Sequence, residues 1–133
     1  MTAESAMNIN NTKTVLVIED DADIQIFISR VLELEGYHVL RAADGNKGME
    51  MAKDNSVDLI LLDLILPGTD GWAILKEIKR LKELSGIPVV IITAIAEPVQ
   101  RKKALRMGAA DYLTKPLSAQ LLVKTVNEVL AKK

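Results

Sequence analysis

Charged and hydroxyl-bearing side chains follow short apolar runs at four places in this chain. Glu19 and Asp20 come after the first run, Asp63 after the third, Thr93 after the fourth and Lys115 after the fifth. If these runs are parallel strands, their carboxyl ends meet at one edge of the sheet, where such folds place their sites. Carboxylates brought together raise one another's pKa unless a cation shares the site. Mg²⁺, which takes carboxylate oxygens and phosphate as ligands, is the cation that this set suits.

Asp63 is the natural nucleophile of such a site. A carboxylate can attack phosphorus to form an acyl phosphate, which is a form of covalent catalysis. Lys115 and Thr93 could stabilise the charge on the oxygens of a phosphoryl group during transfer. The residues by themselves therefore indicate phosphoryl chemistry that depends on Mg²⁺.

Each of these residues also has an ordinary structural interpretation. The acidic run 19–21 could cap a helix, where carboxylates complement free amides and the helix dipole. Asp63 could form a turn, and Thr93, Lys115 and Tyr112 could be plain strand or surface residues. Their joint placement at adjacent strand ends favours the functional interpretation.

Five β-rich runs alternate with five amphipathic helical patterns, separated by turn residues. The strands are predicted at residues 14–18, 38–41, 57–62, 88–92 and 111–113. The helices are predicted at residues 22–35, 45–54, 71–84, 98–107 and 118–131. Runs one, three and four are almost wholly apolar, which is typical of strands buried on both faces of a parallel sheet. The pattern predicts an α/β fold, a doubly wound three-layer sandwich.

The first predicted helix carries a broad apolar arc and one residue opposite to it. The arc consists of Ile24, Phe27, Ile28, Val31, Leu32 and Leu34. Ile26 falls on the other side and is expected to be exposed. A lone exposed isoleucine is common, but this position, just after the acidic strand end, makes Ile26 a candidate for partner docking.

Composition excludes several classes of function. The chain has 133 residues, no cysteine, one histidine and a net charge of −1. Disulfides, thiolate metal sites and cysteine nucleophiles are therefore excluded, and the charge gives no argument for binding nucleic acid or a membrane surface. The longest apolar run, residues 57–66, is too short and too charged to span a bilayer. The polar start lacks a signal-peptide pattern, so we expect a cytoplasmic protein.

Four segments resemble the receiver domain of two-component response regulators. These are residues 15–21, 61–71, 91–94 and 110–116, and the similarity extends over residues 13–131. The resemblance implies a flavodoxin-like (βα)5 fold with a five-stranded parallel sheet of order 2-1-3-4-5. It also implies a stand-alone receiver domain at residues 13–133, after a disordered polar leader at residues 1–12.

The resemblance assigns roles to individual positions. Glu19 and Asp20 match the acidic pair that holds Mg²⁺, with Asp20 the direct ligand. Asp63 matches the phosphoacceptor, and the backbone carbonyl of Ile65 matches the third protein ligand of the metal.

Three further positions match the part of the family that responds to phosphorylation. Thr93 matches the switch hydroxyl, Tyr112 the switch aromatic and Lys115 the phosphate-binding lysine. We expect Thr93 and Lys115 to move toward the phosphoryl group, so that Tyr112 can turn from exposed to buried. Lys115-Pro116 resembles a peptide that is often cis in the family.

The implied function is a phosphoaccepting signalling switch. A histidine kinase or histidine phosphotransfer protein would supply the phosphoryl group, and a downstream target protein would read the changed surface. The protein is expected to catalyse only its own phosphorylation and slow dephosphorylation, as a monomer or a phosphorylation-dependent dimer. Ile65 and Ile95 are aliphatic and cannot activate an attacking water, so we predict slow loss of the phosphoryl group.

Two other classes of function are weaker. An aspartyl-nucleophile phosphohydrolase would need a second aspartate at the position of Ile65. A nucleotide- or flavin-binding module would need a glycine-rich loop where the acidic run 19–21 stands. Outside the site, we interpret His38 as a surface residue of a strand and Trp72 as structural. We interpret the cluster Arg101, Lys102, Lys103 and Arg106 as a solvated helix face that could also contact an acidic partner.

Overall fold

Seven strands and five helices lie within residues 12–132, the part of the chain that this computed structural model describes. The strands are β1 (Thr14–Ile18), β2 (His38–Ala42), β3 (Leu59–Leu62), β4 (Ile65–Leu66), β5 (Thr69–Asp70), β6 (Val89–Thr93) and β7 (Asp111–Thr114). The helices are α1 (Ala22–Leu34), α2 (Gly45–Asp54), α3 (Gly71–Arg80), α4 (Pro98–Arg106) and α5 (Ala119–Ala131). The predicted leader, residues 1–12, lies outside the described residues except for Thr12.

Five of the strands form one parallel sheet in the order β2-β1-β3-β6-β7. Because β6 and β7 are the fourth and fifth strands of this sheet along the chain, the predicted order 2-1-3-4-5 is confirmed. All five carboxyl ends therefore point to one edge, where β1 and β3 are neighbours in the centre.

The core forms two clusters, one on each face of the sheet. Val15 and Val17 of β1 pack on the face that is covered by α1 and α5, whereas Leu16 and Ile18 pack on the face covered by α2, α3 and α4. This alternation follows from the two-residue period of a strand. Burial on both faces explains why the central strands are continuous apolar runs, and it gives the predicted three-layer sandwich.

The first helix begins at a strong cap. The Asp21 carboxylate accepts hydrogen bonds from the backbone N–H groups of Asp23 (2.9 Å) and Ile24 (3.2 Å), so it satisfies two free amides of the first turn. As predicted, Ile26 is exposed (39%). The prediction of the apolar arc is wrong for Leu34, which is 86% exposed, and for Phe27, which at 38% is about as exposed as Ile26. At about 100° per residue Leu34 is at the margin of the apolar arc, in the last turn of the helix.

Two element boundaries differ from the sequence prediction by more than one residue. Helix α3 ends at Arg80 rather than at residue 84, because Leu81 is extended (ψ 125°) and its carbonyl accepts the N–H groups of Leu84 and Ser85 in a turn. Strand β3 begins at Leu59 rather than at residue 57. In the segment just before it, the carboxylate of Asp58 accepts the backbone N–H of Thr14 (2.8 Å).

The hairpin of β4 and β5 was not predicted. These two-residue strands pair antiparallel, with Ile65 opposite Asp70, around a turn in which Gly68 has a φ of 66°. The hairpin carries the chain from the end of β3 to α3. Among residues 12–132, none of the helices combines the length and the apolar character that crossing a membrane requires.

Candidate functional site

Three acidic side chains meet at the carboxyl edge of the two central strands. Glu19 follows β1 and is fully buried, Asp63 follows β3 and is 3% exposed, and Asp20 is exposed to solvent. A carboxylate oxygen from each of the three lies within 4.8 Å of the others. The sheet therefore brings together the three acidic residues that the sequence analysis selected.

Asp63 is held in position by its main chain. Its N–H donates to the carbonyl of Ile18 (3.0 Å), which extends the pairing of β1 and β3 by one residue. Its carboxylate accepts a hydrogen bond from the N–H of Ile65 at Oδ1 (3.0 Å) and one from Lys115 Nζ at Oδ2 (2.7 Å). Both carboxylate oxygens thus have a partner, and the group has one defined orientation.

Gly71 permits the close packing behind Asp63. A Cβ at this position would lie 2.4 Å from the Cα of Leu64 and 2.7 Å from the carbonyl oxygen of Asp63. The start of α3 can contact the segment after β3 only because residue 71 has no side chain. The motif segment 61–71 therefore includes one position that backbone packing requires, in addition to the position of Asp63.

Lys115 is the positive charge of the site. Its Nζ lies 2.5 Å from Glu19 Oε1 as well as 2.7 Å from Asp63 Oδ2. The contact with Glu19 is an ion pair. Burial of Lys115 opposes its charged form, but the contacts with Asp63 and Glu19 outweigh it and raise its pKa. The ammonium therefore stays charged between the two carboxylates.

Glu19 has an unusual carboxyl group. The pKa of Glu19 is raised to about 7: burial and, to a smaller extent, the charge of Asp63 raise it, whereas Lys115 and the N–H of Asp21 lower it. Since desolvation is the largest cause, a second positive charge at this edge would favour the ionised carboxylate. The site thus has more negative charge than its single lysine balances.

Gln25 is a residue of the site that the sequence analysis missed. From α1 its side-chain amide donates to the backbone carbonyl of Glu19 and to that of Ala42 (3.2 Å), so it fixes the end of β1 against the end of β2. A single polar residue on a helix gives no pattern by which its direction could be predicted. Asp21, by contrast, caps α1, so the capping interpretation of the acidic run was correct for this residue.

Thr93 and Tyr112 lie behind the acidic cluster and are both buried, at 0% and 2% exposure. Thr93 Oγ1 accepts a long hydrogen bond from the N–H of Ile95 (3.5 Å). The Tyr112 hydroxyl donates to the carbonyl of Ile95 (2.6 Å), and burial raises the pKa of this phenol. We expected Tyr112 to begin exposed; the structure instead has the ring inward, because the carbonyl of Ile95 satisfies its hydroxyl there.

Arg101 was predicted to be part of a solvated face, but it has defined partners. Its guanidinium donates to the carbonyl of Tyr112 (2.8 Å) and lies 3.4 Å from Asp111 Oδ1. Helix α4 is thereby tied to β7 at the residue next to the buried ring. The side chain of an arginine is long enough to reach across to a neighbouring strand, and sequence periodicity does not report such a contact.

The remaining predicted positions are divided between this depression and other surfaces. Ile65 is 57% exposed and lines the depression together with the acidic residues and Lys115. Lys115-Pro116 is a cis peptide. Leu117 packs on the cluster between the sheet, α1 and α5. Ile26 lies outside the depression, in a separate one between α1 and β2.

The donor set is suited to a small hard cation. Three carboxylates supply only oxygen atoms, no histidine or cysteine is near, and the depression that they line is open to solvent. Oxygen donors and space for water are what Mg²⁺ requires. The residues at this edge therefore fit a magnesium ion.

Comparison with known proteins identifies the family. Residues 15–127 match the model of the response regulator receiver domain. The chain belongs to this family and is a receiver domain of the two-component type, as its motif segments predicted. The similarity covers both central strands, the acidic cluster and Lys115.

Individual relatives are similar over most of this chain. Protein PilH of Pseudomonas aeruginosa is 34% identical over 117 residues, which are 88% of this chain and 97% of PilH. The phosphate regulon transcriptional regulatory protein PhoB of the same species is 38% identical, but the match covers 89% of this chain and 52% of PhoB. The chain thus spans about half the length of PhoB.

Solved structures have the same fold. The receiver domain of Francisella response regulator 1452 is 32% identical, with a TM-score of 0.84 over 91% of this chain and 98% of the other. A CheY-like receiver domain protein from Methanospirillum hungatei is 28% identical, with a TM-score of 0.85 over 92% and 96%. Both agree with the five-stranded α/β architecture.

Proposed function

We propose that this receiver domain is a phosphoaccepting switch in which Asp63 takes a phosphoryl group from a phosphohistidine with the help of Mg²⁺. The observation that carries the proposal is the arrangement around Asp63. Its carboxylate is oriented by the N–H of Ile65 and by Lys115, at an edge that is otherwise acidic. A fixed carboxylate next to an ammonium is suited to in-line attack on phosphorus.

In the proposed step, one oxygen of the Asp63 carboxylate forms a bond to phosphorus. The bond between phosphorus and the imidazole nitrogen of the donor histidine breaks, and that nitrogen keeps the electron pair. Lys115 stabilises the negative charge of the transferred oxygens. No further reactant is needed, because the phosphoryl group moves from one nucleophile to another.

Glu19, Asp20, Asp63 and the backbone carbonyl of Ile65 are the residues that would hold Mg²⁺. When bound, the ion would supply positive charge to the phosphoryl oxygens and offset the repulsion between the carboxylates. The close approach of the three carboxylates supports this assignment, because their oxygen atoms lie within 4.8 Å of one another.

The response to phosphorylation would begin at Thr93 and Lys115, which are drawn toward the new dianion. Thr93 holds the N–H of Ile95 only weakly, and Ile95 in turn accepts the hydroxyl of Tyr112. A movement of Thr93 would therefore change how firmly Tyr112 is held inward, and with it the surface of α4, β7 and α5.

The partners that we propose are a histidine kinase or histidine phosphotransfer protein and a downstream target protein. An apolar depression next to Lys115, lined by Ile24, Phe27, Pro116 and Leu117, supports docking of the phosphodonor. Exposed Ile26 is a second docking candidate on the same helix. We propose the cytoplasm as the compartment, because histidine kinases take their phosphoryl group from ATP.

The protein would catalyse only its own phosphorylation and a slow loss of the group. Ile65 is at the rim of the depression and has no polar atom in its side chain with which to orient water. Ile95 is equally apolar. A long-lived acyl phosphate is therefore expected.

The intact mass of the protein tests the proposal. We would incubate it with Mg²⁺ and acetyl phosphate, with Asp63→Asn and EDTA as controls. We expect a gain of one phosphoryl group that is lost in both controls and that decays slowly after the reagent is removed. A phosphoryl group that persists in Asp63→Asn would refute the assignment of Asp63. A gain in EDTA equal to that in Mg²⁺ would refute the metal dependence.

A further inference from the structure

A second polar depression lies between α1 and the edge strand β2, and it shares no residue with the depression around Asp63. We call it the α1–β2 pocket. Its volume is about 310 Å³, and it is lined by Ile26, Ser29, Arg30, Glu33, Val39 and Arg41. The four residues of α1 are spaced three and four apart, so they share one side of the helix. The two residues of β2 are two apart and share one face of the strand.

Ser29 has a buried hydroxyl group without a partner. Its side chain is 7% exposed, and its oxygen Oγ makes no hydrogen bond. Such groups are rare, because a buried hydroxyl loses its hydrogen bonds to water and needs a replacement. Within residues 12–132, the other buried side-chain oxygen without a hydrogen bond is Oε1 of Glu19, which belongs to the acidic cluster. Ser29 therefore indicates a place where a ligand could supply the missing partner.

Two arginines of the α1–β2 pocket are free to bind an anion. Arg30 and Arg41 are exposed, and neither pairs with an acidic side chain in the part of the chain that the structure describes. Glu33 lines the same pocket but forms no ion pair with them, so the three charged groups sum to +1. Guanidinium and hydroxyl groups are the donors that hold phosphate oxygens.

The other lining residues limit the size and the kind of ligand. Ile26 and Val39 offer an apolar surface for a short carbon skeleton. The volume is at the lower end of the range for ligand pockets, which favours a small molecule. Glu33 can only accept hydrogen bonds while it is ionised, so it suits a ligand that carries hydroxyl groups. A nucleic acid would need a wider positive field than two arginines provide.

We propose that the α1–β2 pocket binds a small phosphate monoester that carries hydroxyl groups. The phosphate oxygens accept hydrogen bonds from Arg30, Arg41 and the hydroxyl of Ser29, and a hydroxyl group of the ligand donates to Glu33. The long side chains of the arginines are exposed and can turn inward over the ligand. No chemical step is involved, and the inference does not depend on phosphorylation of Asp63.

Nuclear magnetic resonance of the isotope-labelled protein in EDTA, without a phosphodonor, tests the pocket. The probes are glycerol 3-phosphate, inorganic phosphate and glycerol. We expect glycerol 3-phosphate to shift the resonances of residues 26–33 and 39–41 in a saturable way. Inorganic phosphate should shift the same resonances with lower affinity, because it has no hydroxyl group for Glu33, and glycerol should have no effect.

Paired variants give the specificity. Arg30→Gln with Arg41→Gln should weaken binding of glycerol 3-phosphate at least tenfold. Lys102→Gln with Arg106→Gln makes the same change of charge at exposed positions of α4 and should leave the affinity within about twofold. Ser29→Ala should weaken binding at least threefold and should not lower the stability of the free protein, because no hydrogen bond is lost.

Glu33→Ala tests the part of the proposal that concerns the hydroxyl groups of the ligand. The variant should bind glycerol 3-phosphate and inorganic phosphate with similar affinity. A preference for glycerol 3-phosphate that is unchanged in this variant would refute the role of Glu33.

Four outcomes would overturn the proposal. No probe could shift residues 26–33 and 39–41 at up to about 10 mM. The control pair could weaken binding as much as the arginine pair, which would mean general attraction to positive charge. Ser29→Ala could leave the affinity unchanged, which would make the pocket an ordinary polar surface. Inorganic phosphate could bind as tightly as glycerol 3-phosphate, which would mean an adventitious ion only. Since Asp63 takes no part in this experiment, failure here would leave its intact-mass test unaffected.

Discussion

The two halves of the carboxyl edge of the sheet differ in how their functional side chains are held. At β1 and β3, Glu19 and Asp63 are buried, and pairing with the neighbouring strand fixes the backbone of each: Glu19 N–H donates to the carbonyl of Ala42, and Asp63 N–H donates to that of Ile18. At β6 and β7, the segment around Ile95 and helix α4 is held by individual side chains, Tyr112 and Arg101, that donate to backbone carbonyls. The first half is therefore held by backbone pairing within the sheet, and the second by a few side-chain hydrogen bonds.

This difference suits the two halves to different roles: the β1–β3 half to the chemical step, and the β6–β7 half to a change of conformation. A nucleophile must stay within a fraction of an ångström of its productive position, which the central strands of a sheet can ensure. A switch needs an element with two arrangements of similar free energy, and an element with few contacts suits this better. The predictions that follow test whether each half is held as described.

Gly71→Ala should have the largest effect on stability, because it disturbs the packing behind Asp63 at the end of β3. The new Cβ would overlap backbone atoms of Leu64 and the carbonyl oxygen of Asp63, which no side-chain rotation can relieve. We expect the free energy of unfolding to fall by about 3 kcal/mol, and phosphorylation of Asp63 to become slower. Urea denaturation and the intact-mass assay measure the two effects.

Gly86→Ala is the matched control. A Cβ at this position would meet no atom within 4 Å. Its effect should stay within about 0.5 kcal/mol. If both glycine variants lose the same stability, the packing behind Asp63 is not what makes position 71 special.

The pH dependence of stability should report Glu19 in the metal-free protein. Its pKa is about 7 in the folded state, against 4.5 for an ordinary glutamate, the value expected in the unfolded chain. Between these values the folded state binds more protons than the unfolded state, so the contribution of Glu19 to stability falls as pH rises from about 4.5 to 7. The expected loss is about 2 kcal/mol.

Denaturation in EDTA at pH 5 and pH 8 measures this loss, with Glu19→Gln as the comparison. The amide of the variant does not titrate, so the variant should lack this part of the pH dependence. Equal slopes in the two proteins would mean that Glu19 keeps an ordinary pKa. Added Mg²⁺ should reduce the loss in the original protein, because a cation favours the ionised carboxylate.

Arg101→Met should have the smallest effect on stability and a local effect on mobility. It removes the hydrogen bond to the carbonyl of Tyr112, which we expect to cost about 1 kcal/mol. Hydrogen exchange should become faster in residues 95–106 and stay unchanged in β1 and β3. Arg106→Met, which removes an exposed arginine whose side chain has no partner within residues 12–132, should leave exchange as it is. Equal acceleration in both variants would mean that the hydrogen bond from Arg101 to Tyr112 does not hold α4 in place.

Most of the fold could be predicted because its elements are marked by continuous apolar runs and by residues at their own ends, both of which are visible in a short stretch of sequence. Continuous apolar runs marked the central strands, and Asp44-Gly45 and Pro98 marked the starts of α2 and α4. The hairpin of β4 and β5 was missed because strands of two residues are too short to show a period. The end of α3 was misplaced because apolar Leu81 and Leu84 continue the helical pattern through the turn.

In the site, the strand ends identified the acidic residues, Thr93 and Lys115, because topology alone brings strand ends together. The contacts of Gln25 and Arg101 could not be predicted in the same way. Both are polar residues on helices, and only the packing of helix against sheet determines which carbonyl they reach. The inward position of Tyr112 likewise depends on the carbonyl of Ile95, which belongs to another segment.

Helix α4 contributes a single residue, Ala104, to the buried core. Exposed residues of α4 whose side chains have no partner within residues 12–132, such as Lys102 and Arg106, can therefore be replaced with little folding penalty. Across related sequences such positions can change without loss of the sheet or of the acidic cluster. The small share of α4 in the core thus allows its exposed surface to evolve independently of the fold.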